Sequence, residues 1–270
     1  MNEPQMKVWK LIIDKAPPSG AFNMAVDDFL FRSLSNKPET FLRFYRWKRP
    51  TVSLGYAQNI QDVVDQDYCK DHRIDIVRRM TGGKLVLHHK EVTYCLCSSD
   101  VETFTSTLMG SYRLISEALV KGLEKMGLRP HLAGAPPVSY VKGNLPCFSH
   151  PAQNEIELAG KKIVGSAQKR AGSKFIQHGS LPLEEDEQLL RSITSFKDVR
   201  SRMHTTSLSR ALGRAVSFEW AVEHLIAGIS EYFGVRMKIK TFDEEEKEAI
   251  SRIQRERYAD KQWTSGVRPG

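Results

Sequence analysis

NEIELAGKKIVGSAQ, residues 154–168, holds two alternating runs, 154–158 and 162–168, on either side of Ala159-Gly160-Lys161. Alternation with a period of two is the pattern of a half-buried strand. Two such runs joined by a short Gly-bearing link make a β-hairpin. Residues 174–181, KFIQHGSL, follow at once and read as a third strand. Strands that double back through short turns pair antiparallel, so this stretch commits the chain to an antiparallel sheet.

Further runs rich in β-branched and aromatic residues extend that sheet on both sides. They are 7–13 (KVWKLII), 74–79 (IDIVRR), 90–99 (KEVTYCLCSS) and a terminal strand at 236–242 (RMKIKTF). FLRFYRW (41–47) and TVSLGY (51–56) read as adjoining strands separated by Lys48-Arg49-Pro50. Helices are expected at 19–34, 59–72, 106–127, 217–234 and 243–258. In the first, Phe22, Ala25, Val26, Phe29 and Leu30 recur on one face. Ser217 is placed to cap the fourth. Residues 129–147 form a Gly- and Pro-rich loop. Strand groups with helices set between them give an α+β fold: a mostly antiparallel mixed sheet with packed helices. No linker divides the chain, so residues 1–270 are expected to form a single catalytic domain, with 245–270 a peripheral helix and frayed tail.

The chain is 40% hydrophobic and 27% charged, a composition that folds. It has no run near the ~20 apolar residues that span a bilayer. The opening MNEPQMKVWKLII has no signal-peptide pattern, so the expected location is cytoplasmic with no membrane partner. Lysine and arginine number 40 against 32 acidic residues, a net +8 spread along the chain. That excess fits a solvated surface, and equally an acidic partner. The cysteines are Cys69, Cys95, Cys97 and Cys147. Their spacing matches no zinc site, and no metal is expected. Cys95 and Cys97 share one strand face and, with Cys69, read as buried apolar residues. Cys147 lies instead in a Pro-bounded irregular segment.

Four segments carry chemistry-bearing residues. RRMTGGKLVLHH (78–89) brings Arg78 and Arg79 to a Gly-Gly turn, where backbone can approach a ligand. GKKIVGSAQKR (160–170) sets Lys162 just ahead of Gly165-Ser166-Ala167. FIQHGSL (175–181) carries His178, and LPCFSHPAQNEIEL (145–158) carries Cys147. Singly, each also fits a plain reading: a tight hairpin turn, an exposed strand lysine, a core histidine, a buried thiol.

In this order the segments resemble the lipoate-protein ligase and octanoyltransferase superfamily, which is related to the biotin ligases. SGAFNMAVDD is similar to that family's early helix, and FLRFYRWKRPTVSLGYAQ to its strand pair and turn. RRMTGGKLVLHH resembles its Arg-Arg-x-x-Gly-Gly motif, and GKKIVGSAQKR with FIQHGSL its lysine motif and partner strand. Cys147-Phe148 sits where the LipM-type cysteine octanoyltransferases carry Cys-Phe.

The resemblance implies a biotin/lipoate ligase-like catalytic domain that moves an octanoyl group from acyl carrier protein to a lysine of a lipoyl-domain protein. It implies Cys147 as nucleophile and Lys162 as its catalytic partner, with His178 as an assistant. Gly82, Gly83 and Val86 would hold the acyl chain, with Arg79 and His88 beside it. Backbone N–H groups at Gly165, Ser166 and Ala167 would face the oxyanion. Leu85 stands where relatives carry a small residue, which would set it beside the acyl chain. No cofactor, ATP or nucleic acid is implied. The competing readings are an ATP-dependent lipoate ligase and a non-catalytic acyl- or nucleic-acid-binding protein of the same fold.

Overall fold

The computed structural model describes residues 6–134, 154–195 and 205–266. Strand β1 (Val8–Ile13) comes first. Helix α1 (Gly20–Ser33) starts from Ser19, whose hydroxyl accepts the Phe22 N–H at 3.3 Å. β2 (Thr40–Tyr45) and β3 (Thr51–Leu54) follow, but they are not the neighbours expected from sequence. They belong to different sheets. Pro50 has no N–H for a ladder, and the Lys48 N–H is spent on the Pro18 carbonyl at 2.8 Å. The chain leaves the first sheet there.

The single helix expected over 59–72 is two short ones, α2 (Ile60–Val63) and α3 (Gln66–Asp71). Between them Asp65 caps α3, accepting the Tyr68 N–H at 2.9 Å. A capping residue holds extended backbone angles, so one helix cannot pass through it.

Next come β4 (Asp75–Arg78), β5 (Val86–His88) and β6 (Glu91–Ser98). The Gly82-Gly83 segment is not a hairpin turn. β4 and β5 flank β3 on opposite sides, so residues 79–85 cross over its end.

α4 (Leu108–Lys125) and β7 (His131–Leu132) lead to β8 (Ile156–Leu158), β9 (Lys161–Ala171) and β10 (Lys174–Pro182). These last three strands are the antiparallel run read from sequence. Leu158 pairs with Lys161, leaving Ala159 and Gly160 as the turn, with φ of 50° and 72°. Positive φ at both positions gives the type I′ geometry, whose twist matches that of the strands.

α5 (Glu187–Ser192), α6 (Leu208–Leu212), α7 (Phe218–Phe233) and β11 (Arg236–Ile239) follow. α8 (Glu244–Ile253) then runs into a π-helical turn, Gln254–Tyr258, and α9 (Lys261–Ser265).

This end of the chain is docked through Ser265, where the sequence suggested fraying. Arg257 Nη1 and the Tyr258 hydroxyl donate to Asp28 of α1, at 3.0 and 3.2 Å. Arg78 Nε donates to the Trp263 carbonyl at 3.0 Å, and Trp263 Nε1 donates back to the Arg78 carbonyl at 3.0 Å.

The larger sheet has the order β11-β1-β2-β6-β10-β9-β8-β7 and the smaller one β4-β3-β5. β1 pairs in parallel with β2 and β11, while the other pairs of the larger sheet are antiparallel. Alternation along the strands divides the side chains between two faces. Leu42, Phe44, Tyr94 and Phe175 pack with the apolar stripes of α4 and α7. Phe41, Tyr45, Cys95, Cys97 and Ile176 pack with α1, Ile250 and Tyr258. The cysteine pair therefore shares a buried face, as its spacing implies. A third cluster joins the small sheet to Ile60, Val63, Cys69 and Leu190. Among the described residues no helix is long and apolar enough to cross a membrane.

Candidate active site

The α1 face of the large sheet and the small sheet above it line a partly open cavity, with about 370 Å³ of empty space when its open mouth is counted. Tyr45, Thr93, His178, Ser180 and Ala167 reach it from four neighbouring strands of the large sheet. Their positions share one face by register: His178 sits opposite both Cys95 and Ala167. Ser53, Val86 and His88 come from the small sheet, and Met24 comes from α1. Pockets that are largely apolar with a few placed polar groups are where small ligands are held.

The residues singled out from sequence largely converge here. Arg79, Val86, His88, Gly165, Ser166, Ala167 and His178 all line the cavity. Gly82 and Gly83 lie in the crossover above it and are not lining residues. Gly83 still matters to the wall, because a Cβ at Gly55 would run into its carbonyl. Leu85 does not face the cavity. It is buried in the third cluster with Val52 and Leu54.

Arg79 fixes the crossover. Its Nη1 donates to the Ser53 carbonyl and hydroxyl, each at 2.7 Å, and its Nη2 to the Gly82 and Lys84 carbonyls, each at 3.0 Å. The guanidinium therefore holds the turn against β3.

Both histidines are held between a carboxylate and a hydroxyl. His178 has Nδ1 3.0 Å from Asp27 Oδ2 and Nε2 2.7 Å from Thr81 Oγ1. His88 has Nδ1 2.7 Å from Glu91 Oε1 and Nε2 2.6 Å from Ser53 Oγ. A neutral ring satisfies each set: Nδ1–H donates to the carboxylate and Nε2 accepts from the hydroxyl. Burial lowers the His178 pKa, and the Asp27 hydrogen bond only partly offsets it. Burial alone would raise Asp27. Its His178 hydrogen bond and the Arg43 charge outweigh this and hold the carboxyl below its usual range. Burial likewise opposes ionised Glu91, but His88, Ser180 and Thr93 bring its pKa below the ordinary value. Both His178 nitrogens are engaged, so the ring braces β10 against α1 and the crossover.

Several of these partners escaped the sequence reading: Asp27, Glu91, Ser53 and Thr81. Asp27 had a signal, since a carboxylate inside the apolar run FNMAVDDFL needs a buried partner. It finds three, with Arg43 Nη1 at 2.8 Å and the Tyr45 hydroxyl at 2.9 Å beside His178. Trp47 was missed too. Its ring stacks on His88 at 4.1 Å between centroids and lines the cavity.

Lys162 is fully buried, and its Nζ donates to Glu155 Oε1 at 2.6 Å. It is not a lining residue, but it stands on β9 three positions before Gly165. Past Val164, β9 leaves β8 and, among the described residues, pairs only with β10. Alternate N–H groups on that edge are therefore turned away from the ladder. Cys147 lies outside the described residues, which resume at Asn154 beside Glu155.

With its mixed sheet, its crossover and the largely apolar cavity between them, the chain belongs to the family described as the lipoyl protein ligase A/B catalytic domain, which it matches over residues 19–230. Its full-length relatives are narrower in kind. Octanoyltransferase LipM of Carboxydothermus hydrogenoformans is 34% identical, over 96% of this chain and 98% of its own. Octanoyltransferase LipM of Kyrpidia tusciae is 36% identical, over 94% and 98%. Among solved structures, lipoate-protein ligase A bound with ATP superposes with a TM-score of 0.84 at 24% identity, covering 97% of this chain and 100% of that one. That likeness bears out the biotin/lipoate ligase-like α+β fold.

Proposed function

We propose that the chain transfers an octanoyl group from acyl carrier protein to a lipoyl-domain lysine through a thioester on Cys147. It is an octanoyltransferase, like the relatives above. The single observation behind the mechanism is structural. The Lys162–Glu155 pair lies buried just after the described chain resumes at Asn154, and Lys162 stands three residues before the cavity wall at Gly165.

The Cys147 thiolate attacks the donor carbonyl. The tetrahedral intermediate collapses and expels the carrier thiolate, which takes up a proton. The acceptor amine then attacks the acyl-enzyme, loses a proton and releases the Cys147 thiolate, leaving an amide. Thioester exchange is nearly balanced and aminolysis runs downhill, so no ATP is consumed. A thiol of ordinary pKa ~8.5 is only a few per cent ionised near neutrality. The Lys162 ammonium is the cation that stabilises the thiolate, and the free β9 N–H groups take the oxyanion. Arg79, Gly82, Gly83, Val86 and His88 shape the acyl cavity. The reading takes residues 1–270 as one catalytic unit working in the cytoplasm.

Intact mass of the enzyme after incubation with octanoyl carrier protein tests this. An adduct of octanoyl mass is expected, and none in Cys147→Ala. ATP-dependent loading of free acid by Cys147→Ala would instead establish a ligase.

A further inference from the structure

Many surface cations are paired. Lys90 meets Glu184, Arg113 meets Glu117, Lys125 meets Glu231 and Lys240 meets Glu246. One group differs. Lys15, Lys48 and Arg49 are exposed and have no carboxylate in ion-pair range among the described residues. Two contacts bring their loops together. The Lys48 N–H donates to the Pro18 carbonyl at 2.8 Å, and Arg46 Nη2 donates to the Lys15 carbonyl at 3.4 Å. Arg46 lies 4.5 Å over the Phe218 ring, and its ion-pair partner is the exposed Glu219 at 3.4 Å.

The place of this group in the fold gives it a use. Trp47 sits between Arg46 and Lys48 in sequence, and its ring is part of the cavity wall. The cations are therefore carried on the segment that supplies part of the cavity wall. Spread charges would serve solubility. Several cations in one place set up a local positive potential that steers an acidic partner to that spot.

We propose that Lys15, Arg46, Lys48 and Arg49 form the docking surface for the acidic carrier protein that delivers the acyl thioester. The inference rests on the transferase reading above. A protein-borne acyl chain can enter the cavity only from a carrier seated beside its mouth, so the donor's footprint must border the cavity residues. Trp47 already spends one ring face on His88 in the cavity wall, which leaves less of it for a nucleobase. That favours a protein carboxylate surface over single-stranded nucleic acid.

The experiment compares wild type with K15E/K48E/R49E, whose altered side chains lie outside the cavity. Octanoyl carrier protein and octanoyl-N-acetylcysteamine serve as alternative donors, at low and high salt. For the carrier-protein donor, KM should rise about tenfold or more and its salt dependence should flatten. Transfer from the small thioester, and KM for the lipoyl-domain acceptor, should stay at wild-type values. Titration of the carrier protein onto the same variant in a Cys147→Ala background should show the same weakening without any chemistry. An unchanged donor KM and unchanged carrier binding would overturn the proposal. So would a rise confined to the acceptor KM, which would make the patch an acceptor site. If the wild type uses neither donor yet binds the carrier through this patch, the transferase reading fails while the docking surface stands.

Discussion

His178 donates its Nδ1–H to Asp27 across 3.0 Å, tying β10 to α1 at the cavity wall. Both groups are buried, and their protonation is coupled to folding. Burial holds the His178 pKa below its ordinary 6.5, and the Asp27 carboxyl stays below its ordinary 3.8.

The sign of the pH effect follows from these directions. Below pH 6.5 the unfolded chain takes up a histidine proton that the folded chain resists, so stability falls as the medium is acidified through that value. Asp27 adds a second loss as pH drops below 3.8. One proton contributes at most about 1.4 kcal/mol per pH unit. Melting temperature should decline between pH 7 and 5, and His178→Gln should remove part of that decline. An identical slope in the variant would show that His178 is not the group responsible.

Glu91 should prove as important to the cavity as the histidine it holds. It accepts from His88, Trp47, Ser180 and Thr93, so four cavity-lining groups turn on one carboxylate. Glu91→Ala leaves buried donors unmet, at about 1–3 kcal/mol for each. Glu91→Gln keeps the volume but accepts fewer bonds. The Gln variant should fold, with a raised KM for the octanoyl donor that exceeds any change in kcat. A wild-type KM in that variant would count against Glu91 as a positioning residue.

Lys162 and Glu155 can be separated by a charge-matched pair of variants. Lys162→Met takes the ammonium away from a buried carboxylate, and breaking such a pair destabilises by about 3–5 kcal/mol. Lys162→Met/Glu155→Gln removes both charges and should recover most of that stability. It should not recover octanoyl transfer if, as proposed, the Lys162 ammonium stabilises the thiolate. Thermal melts and acyl-enzyme formation by mass read the two effects apart. Recovered acyl transfer in the double variant would reduce the lysine to a structural role.

The antiparallel core was legible in the sequence because its signals are local. The turn at Ala159-Gly160, the alternation in 162–168 and the helix stripes each lie within a few residues. Apart from the Asp65 cap that splits 59–72, the failures are non-local. Nothing within FLRFYRW and TVSLGY says that Pro50 sends them into separate sheets. The Gly82-Gly83 segment looks like a hairpin until β3 is found between its flanking strands. Leu85 sits beside the motif in sequence but turns into another cluster. The site was legible only through motif order. Arg79, His88, Ala167 and His178 could be named, but their partners Ser53, Glu91, Thr81 and Asp27 arrive from other elements. Partners fixed by packing leave no spacing to read.

Cavity volume should set acyl chain length. Ala167 faces His178 across the β9–β10 pair and lines the cavity. Ala167→Phe puts a ring into that space. Overpacking of this kind costs about 1–3 kcal/mol, which the fold should survive. Octanoyl transfer should fall sharply while butanoyl transfer from the matching thioester persists. Equal losses for both chain lengths would mean that the ring disturbs the catalytic groups themselves.

The C-terminal turn lies beyond residues 19–230, yet it completes the support of the crossover. Arg78 is buried and spends its guanidinium on carbonyl oxygens. Nη1 reaches Gly55, Tyr56 and Gln58, while Nε and Nη2 reach Trp263 and Thr264. Gly55 in turn bears on Gly83. A chain ending after Tyr258 keeps the Asp28 contacts but leaves two nitrogens of a buried cation unmet. That should cost about 1.5–3 kcal/mol, a drop of a few degrees in melting temperature. The loosened crossover should also raise the donor KM with little change in kcat. Adding the 259–270 peptide in trans should restore part of both. A truncated enzyme with wild-type KM would show that Arg78 holds the crossover without help from the tail.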